Sequence, residues 1–209
     1  LRKLIWRQPG SFLLWISCLY LISGMATCGL PVERNKPIQP AATKQPHSPV
    51  QSTVPAQDIP ERLLIPTLKI HAAIEKVGIQ ATGDLGTPEA SPWEDVGWYA
   101  KGTIPGQLGS AVIDGHLDRP GGAPAIFWSL HTLFVGNEVI VQMASGGAMQ
   151  FRVIRVALYT PQAAPVQEIF ANTGGAYLNL ITCSGDWIPS QQQTTQRIVV
   201  YTVLERSSS

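Results

Sequence analysis

From Arg62 to Leu204 the chain is cut by Gly and Pro into short apolar pieces, and none of them carries a long 3.6-residue period. Such a segment cannot make the long helices of a doubly wound fold, and a parallel sheet with crossover helices is excluded on that ground. The pieces read as strands instead. Leu63-Leu64-Ile65 and Ala73 to Val77 look like a first pair, and Ser110 to Ile113 leads directly into Asp114-Gly115-His116. Residues 137 to 143 alternate, with Val139, Val141 and Met143 on one face and Glu138 and Gln142 on the other, the period of a half-buried strand. Ser145-Gly146-Gly147 then makes a hairpin turn. The returning strand places Phe151 and Val153 on one parity but Ile154, Val156 and Leu158 on the other, which predicts a β-bulge. Tyr177 to Thr182 and Ile198 to Leu204 supply the last two strands, and Ala125 to Leu133 and Val166 to Phe170 are long enough for a helical turn or two. The pattern predicts an all-β domain, a closed or nearly closed antiparallel barrel with short helices.

The first sixty residues are of another kind. Arg2, Lys3 and Arg7 precede a stretch from Pro9 to Val32 without a charged side chain. That length matches the roughly 20 apolar residues needed to cross a bilayer. The basic flank predicts a cytoplasmic N-terminus and an exported body, hence a single-pass protein of the cell membrane with its folded domain extracellular. A cleaved signal peptide is the rival reading, with Gly24-Met25-Ala26 as its cleavage site. From 31 to about 60 the chain carries Pro31, Pro37, Pro40, Pro46, Pro49, Pro55 and Pro60 among polar residues, the composition of an extended, solvated tether. The expected organisation is therefore 1–30 anchor or signal, 31–60 linker, 61–205 folded domain and 206–209 tail.

A net charge of +1 in 209 residues, with no basic stripe bearing interleaved aromatics, gives no footprint for nucleic acid. The cysteine count says more. Cys18 and Cys28 lie in or beside the apolar stretch, which leaves Cys183 alone in the exported domain. Exported domains use cysteines in pairs as disulfides, so a lone one is either a reactive thiol or a small buried hydrophobe. To act as a nucleophile the thiol needs help with ionisation, from His, Arg, Lys or a helix N-terminus. His71 follows an apolar strand and reads as a surface residue, and His131 falls in a helical turn as a packing or solvated one. His116 ends a strand at the start of a Gly-Pro loop, where its ring projects into a mobile rim. Arg197 opens the strand Ile198-Val199-Val200-Tyr201. A charge there either points at water from an edge or offers forked donors to an acyl oxygen as negative charge develops on it.

The order His116, then Leu180-Ile181-Thr182-Cys183, then Arg197 ahead of a terminal Ile-Val-Val strand resembles the sortases, membrane-anchored cysteine transpeptidases of the Gram-positive type of envelope. The resemblance covers roughly residues 62 to 205. The family pattern Thr-Leu-x-Thr-Cys is matched at Leu180, Thr182 and Cys183, with Asn179 in place of the first Thr. Ala111 to Asp118 resembles the histidine strand and Leu63 to Pro66 the opening strand, and Ile181 before Thr-Cys is most similar to class F. The resemblance implies a closed antiparallel barrel of about eight strands. It implies Cys183 as nucleophile, His116 as general acid and base, Arg197 as the cation that binds the substrate backbone and the oxyanion, and Thr182 at the substrate. It further implies sorting-signal-bearing surface proteins of the Leu-Pro-x-Thr-Gly type as substrates, an amine acceptor such as lipid II or a pilin lysine, and no cofactor or metal.

The rivals differ in order and spacing. An L,D-transpeptidase also uses His, Cys and Arg, but its signature has Gly directly before Cys, where this chain has Ile-Thr. Papain-like proteases run Cys before His. Asp114, His116 and Asp118 bunch as ligands would, yet no second histidine lies near for a catalytic zinc. A tethered, non-catalytic surface binding domain is the reading outside enzymes.

Overall fold

The computed structural model describes residues 58–81 and 83–205. The segments expected as anchor or signal (1–30) and tail (206–209), and almost all of that expected as linker (31–60), lie outside the described residues. Among the described residues no helix is long and apolar enough to cross a membrane. At the start of the described residues, Asp58 accepts from both the backbone N–H (2.9 Å) and the hydroxyl (2.8 Å) of Ser145, and Ile59 packs on the core.

Among the described residues stand eight strands and one short α-helix, β1 (Pro60–Ile65), β2 (Ile70–Val77), β3 (Val96–Tyr99), β4 (Gly109–Asp114), β5 (Glu138–Met143), β6 (Ala148–Tyr159), α1 (Val166–Ala171), β7 (Ala176–Ile188) and β8 (Gln193–Leu204), with single 3-10 turns at Pro66–Leu68 and Leu130–Thr132. The sheet is a closed barrel in the order β1-β2-β3-β4-β7-β8-β6-β5, with β5 returning to pair antiparallel with β1. Closure leaves no unpaired edge, which disposes of the exposed N–H and C=O rows that an open sheet would present.

The barrel is not wholly antiparallel, contrary to expectation. β2 pairs with β3 and β4 with β7 in parallel. A parallel neighbour needs a crossover rather than a two-residue turn, and both crossovers are present in the chain. Residues 78–95 separate β2 from β3, and the whole β5–β6 hairpin with α1 intervenes between β4 and β7. β3 gives no signal in the sequence because it has only four residues, one of them Gly97.

Elsewhere local pattern and structure agree. Val139, Val141 and Met143 of β5 are buried, and the Ser145-Gly146-Gly147 turn closes through Met143 N–H donating to the Gly147 carbonyl (2.8 Å). In β6 the register against β8 shifts between Val153 and Arg155. Ile154 is the extra residue and is exposed, while Phe151 and Val153 before it and Val156 after it all face the main core. The bulge thus explains the parity break and keeps both halves of the strand packed inward.

Alternate residues of the central strands serve two apolar clusters. Ala111 and Ile113 of β4, Leu178 and Leu180 of β7, and Ile198 and Val200 of β8 fill the barrel interior. Val112, Val199 and Tyr201 face outward into a second cluster with Ile181, closed over by Ile169 and Phe170 of α1. Six residues are too few for α1 to be stable alone, so it stands by burying Ile169 completely.

Candidate active site

The outward face of β4, β7 and β8 carries the site. Cys183 is paired directly with Arg197 across the β7–β8 ladder. On the other side of β7, Asp114 is level with Ile181, and the Gly115 N–H continues the ladder by donating to the Ile181 carbonyl (3.2 Å). His116 follows one residue after Gly115, past the end of β4. Ile181 and Val199 belong to the outer cluster, and the two-residue period of a strand puts Cys183 and Arg197 on the same outward face. Neighbouring strands lie about 4.8 Å apart, so the thiol and the guanidinium stand side by side across the ladder.

Each group is held differently. The His116 ring packs on Trp93, with centroids 4.8 Å apart and planes at 46°, and its carbonyl accepts from Phe127 N–H (3.0 Å). Loss of water lowers the imidazole pKa, against a smaller opposing pull from the Asp118 carboxylate. Cys183 is a free thiol, partly exposed. Arg197 donates through Nη1 to the Thr194 hydroxyl (2.8 Å) and to the carbonyls of Gln196 (2.9 Å) and Thr194 (3.3 Å). These bonds fix the guanidinium without neutralising it, since no carboxylate among the described residues pairs with it. The other arginines near this face are occupied: Arg152 pairs with Glu205, and Arg155 pairs with Glu168 while lying 3.9 Å over the Tyr201 ring.

Thr182, expected at the substrate, faces the other way. It is 3% exposed and its hydroxyl donates to the Gly115 carbonyl (2.8 Å). The bond ties the residue before His116 to the residue before Cys183. Asn179, at the position where the family pattern has Thr, is likewise buried, with Nδ2 donating to the Ile169 carbonyl (2.6 Å) at the end of α1. His71 and His131 are exposed, and His131 Nδ1 lies 3.1 Å from the Trp128 carbonyl.

The strand that carries the thiol does not end at it. β7 runs on through Cys183 to Ile188, and the pairing with β8 skips a step between Ser184 and Trp187. Nor is the Gly-Pro rim after His116 unstructured. Arg119 N–H donates to Ala123 O (2.8 Å), Ala125 N–H to Leu117 O (3.0 Å), and the Arg119 guanidinium bridges to Glu94 (2.7 Å).

A family model for the Sortase domain matches residues 63–205. The chain belongs to the sortase family. The barrel of this sortase is similar to those of sortase C1 of GBS Pilus Island 1 (TM-score 0.55, 18% identity, 71% of this chain and 65% of that one). It is similar to sortase A from Corynebacterium diphtheriae (0.55, 17%, 71% and 61%) and to a Clostridium perfringens sortase D5 transpeptidase (0.52, 17%, 70% and 79%). The chain thus spans just under two thirds of the first two. No curated protein matches it by sequence.

Trp93 escapes sequence reasoning: it lies in an irregular loop with no period to mark it, and only its contact with His116 gives it meaning. Asp114 stands out in the sequence only as one of a bunch of potential metal ligands, and its burial is not legible there. In the structure its Oδ1 is shut off from solvent with no hydrogen-bond partner, and burial pushes its carboxyl up to about 8.

Proposed function

We propose that this sortase is a cysteine transpeptidase acting on Leu-Pro-x-Thr-Gly-type sorting signals. One observation supports the reading: Cys183 and Arg197 are opposed in register on the outward face of β7 and β8, and His116 follows directly on β4, the other neighbour of β7. The Cys183 thiolate attacks the carbonyl carbon of the signal threonine, and the C=O electron pair moves onto oxygen, where the uncompensated Arg197 guanidinium lies close by. As the C–N bond breaks, the His116 imidazolium gives its proton to the departing glycine amine, leaving a thioester on Cys183. The neutral imidazole then takes a proton from the incoming amine as that nitrogen attacks the thioester. An amide forms, the thiolate departs and the imidazolium is restored.

Thr182 has a positioning role in this scheme, because its bond to Gly115 fixes the spacing of the nucleophile strand against the histidine strand. The Ile181-Thr182-Cys183 sequence supports a class F-like assignment. The acceptor amine belongs to a cell-wall precursor such as lipid II or to a pilin lysine. The basic and apolar N-terminal sequence supports a single-pass anchor with the barrel outside the cell membrane.

The test is intact-mass spectrometry of the domain incubated with a Leu-Pro-x-Thr-Gly peptide. A mass gain equal to the acyl fragment, localised to Cys183, reversed by an added amine and absent in Cys183→Ala, is expected. An unmodified Cys183 under conditions where the domain is folded would overturn the reading.

A further inference from the structure

Between Cys183 and Ile198, Thr194 is the one buried residue, at the end of a hairpin whose other side chains are partly or fully exposed. Burial alone asks for an apolar side chain there. The residue is polar instead, and both capacities of its hydroxyl are used: it accepts from Arg197 Nη1 (2.8 Å) and donates to the Gln196 carbonyl (3.1 Å). The same carbonyl accepts from Arg197 Nη1 (2.9 Å), so guanidinium, hydroxyl and carbonyl close a ring of three hydrogen bonds. The Thr194 carbonyl adds a longer contact to Nη1 (3.3 Å).

All of the bonds that Arg197 donates leave from Nη1. A guanidinium carries five N–H donors in a fixed fork. The Nε–H and both hydrogens of Nη2 are therefore left without a partner among the described residues. Nε and Nη2 share an edge with two parallel N–H groups, the geometry that meets an oxygen carrying negative charge. Holding the group by Nη1 alone secures it and keeps that edge unspent. An untethered arginine samples many rotamers, and ordering it while charge develops would cost that freedom, whereas donors set in place beforehand avoid the cost. The seat is anchored across the ladder as well: Thr195, next in the chain, accepts through Oγ1 from Asp186 N–H (3.0 Å) at the register step beyond Cys183.

We propose that Thr194 is a positioning residue for the transfer reaction, its hydroxyl seating Nη1 of Arg197 so that the Nε–Nη2 edge is the one offered to the acyl oxygen of a peptide held at Cys183. This rests on the transpeptidase reading and adds to it a residue that acts through Arg197. The hydroxyl is what the role requires. Val has nearly the same shape but gives Nη1 no acceptor, and Ser keeps the acceptor without the methyl group.

The experiment measures acylation of Cys183 by a Leu-Pro-x-Thr-Gly peptide in the protein and its Thr194 variants, with a melting curve for each. Thr194→Val and Thr194→Ala differ in volume but both lack the hydroxyl, and they are expected to lower kcat/KM alike, by about tenfold, as the loss of one hydrogen bond to a charged group would. Thr194→Ser is expected to restore it. In an Arg197→Lys background, which has no guanidinium to seat, Thr194→Val is expected to change nothing further. A wild-type rate in Thr194→Val overturns the positioning role while leaving the transpeptidase reading intact. So does a loss that Thr194→Ser fails to restore, one that follows melting temperature from Val to Ala, or one that multiplies with that of Arg197→Lys. A folded wild-type protein in which no such peptide acylates Cys183 overturns both.

Discussion

Asp114 and His116 stand two residues apart, and loss of water displaces their titrations in opposite directions: the acid is raised and the base lowered, because burial disfavours the charged form of each. The consequence for stability follows from proton counting. Between the ordinary carboxyl value and about 8 the folded state keeps a proton on Asp114 that the unfolded chain has released, so stability falls as pH rises through that window. Asp114→Asn removes the penalty. It is expected to raise the melting temperature at pH 8, by about 1–3 kcal/mol of stability, with little gain near pH 4, as calorimetry across pH will show. For His116 the sign is reversed: protonation is disfavoured in the fold, so its contribution is complete above the ordinary imidazole value and is lost as pH falls below it. Trp93→Ala opens the ring to water and is expected to raise the His116 pKa, read from its imidazole carbon-proton shifts in an NMR titration. Arg197→Lys keeps the charge but loses the planar fork, and a fall of about tenfold to a hundredfold in kcat/KM with an unchanged melting temperature is expected.

At the scale of elements, the strand bearing Cys183 is shaped by a glycine just beyond it. Gly185 has φ +77°, and a Cβ there would come within 2.2 Å of Thr195 Oγ1, which already accepts from Asp186 N–H (3.0 Å). Gly185→Val is expected to shift the β7–β8 register beside Cys183 and Arg197, lowering acylation by more than any loss of melting temperature accounts for. This feature also marks where sequence reasoning ran short. Ser-Gly-Asp after Cys183 has the composition of a turn, but a register step within a paired strand uses the same residues, and only the partner strand distinguishes the two. The β6 bulge was legible because apolar parity changed at Ile154 within a single strand. β3 was not, because Val96-Gly97-Trp98-Tyr99 is too short to show a period, and the parallel pairings were not, because strand direction depends on crossovers that leave no local mark. Among candidate site residues, Cys183, His116 and Arg197 are singled out by their chemistry and given roles by the resemblance, and the structure adds the direct pairing of Cys183 with Arg197. The burial of Thr182 and the isolation of Asp114 are not legible in that way, since both arise from what the next strand brings alongside.

For the whole molecule, closure is the decisive act. β1 joins β2 on one side and β5 on the other, and Leu63 at its centre is fully buried. Leu63→Ala removes core atoms at this seam and is expected to cost about 2–5 kcal/mol in urea unfolding. Because the seam lies far along the barrel from β7 and β8, the peptide preference of the remaining folded fraction should not change. Cys183 and Arg197, for their part, are mounted on the ladder of β7 and β8, and His116 follows directly on β4, so none of the three lies in the rims at 117–125 and 189–192. Rims of that kind can lengthen, shorten or change sequence while Cys183 and Arg197 keep their pairing. Losing a single residue between Arg197 and Val200 would do the opposite, turning the guanidinium into the barrel and a greasy side chain outward, which binds the pair to strand length and leaves it indifferent to rim length.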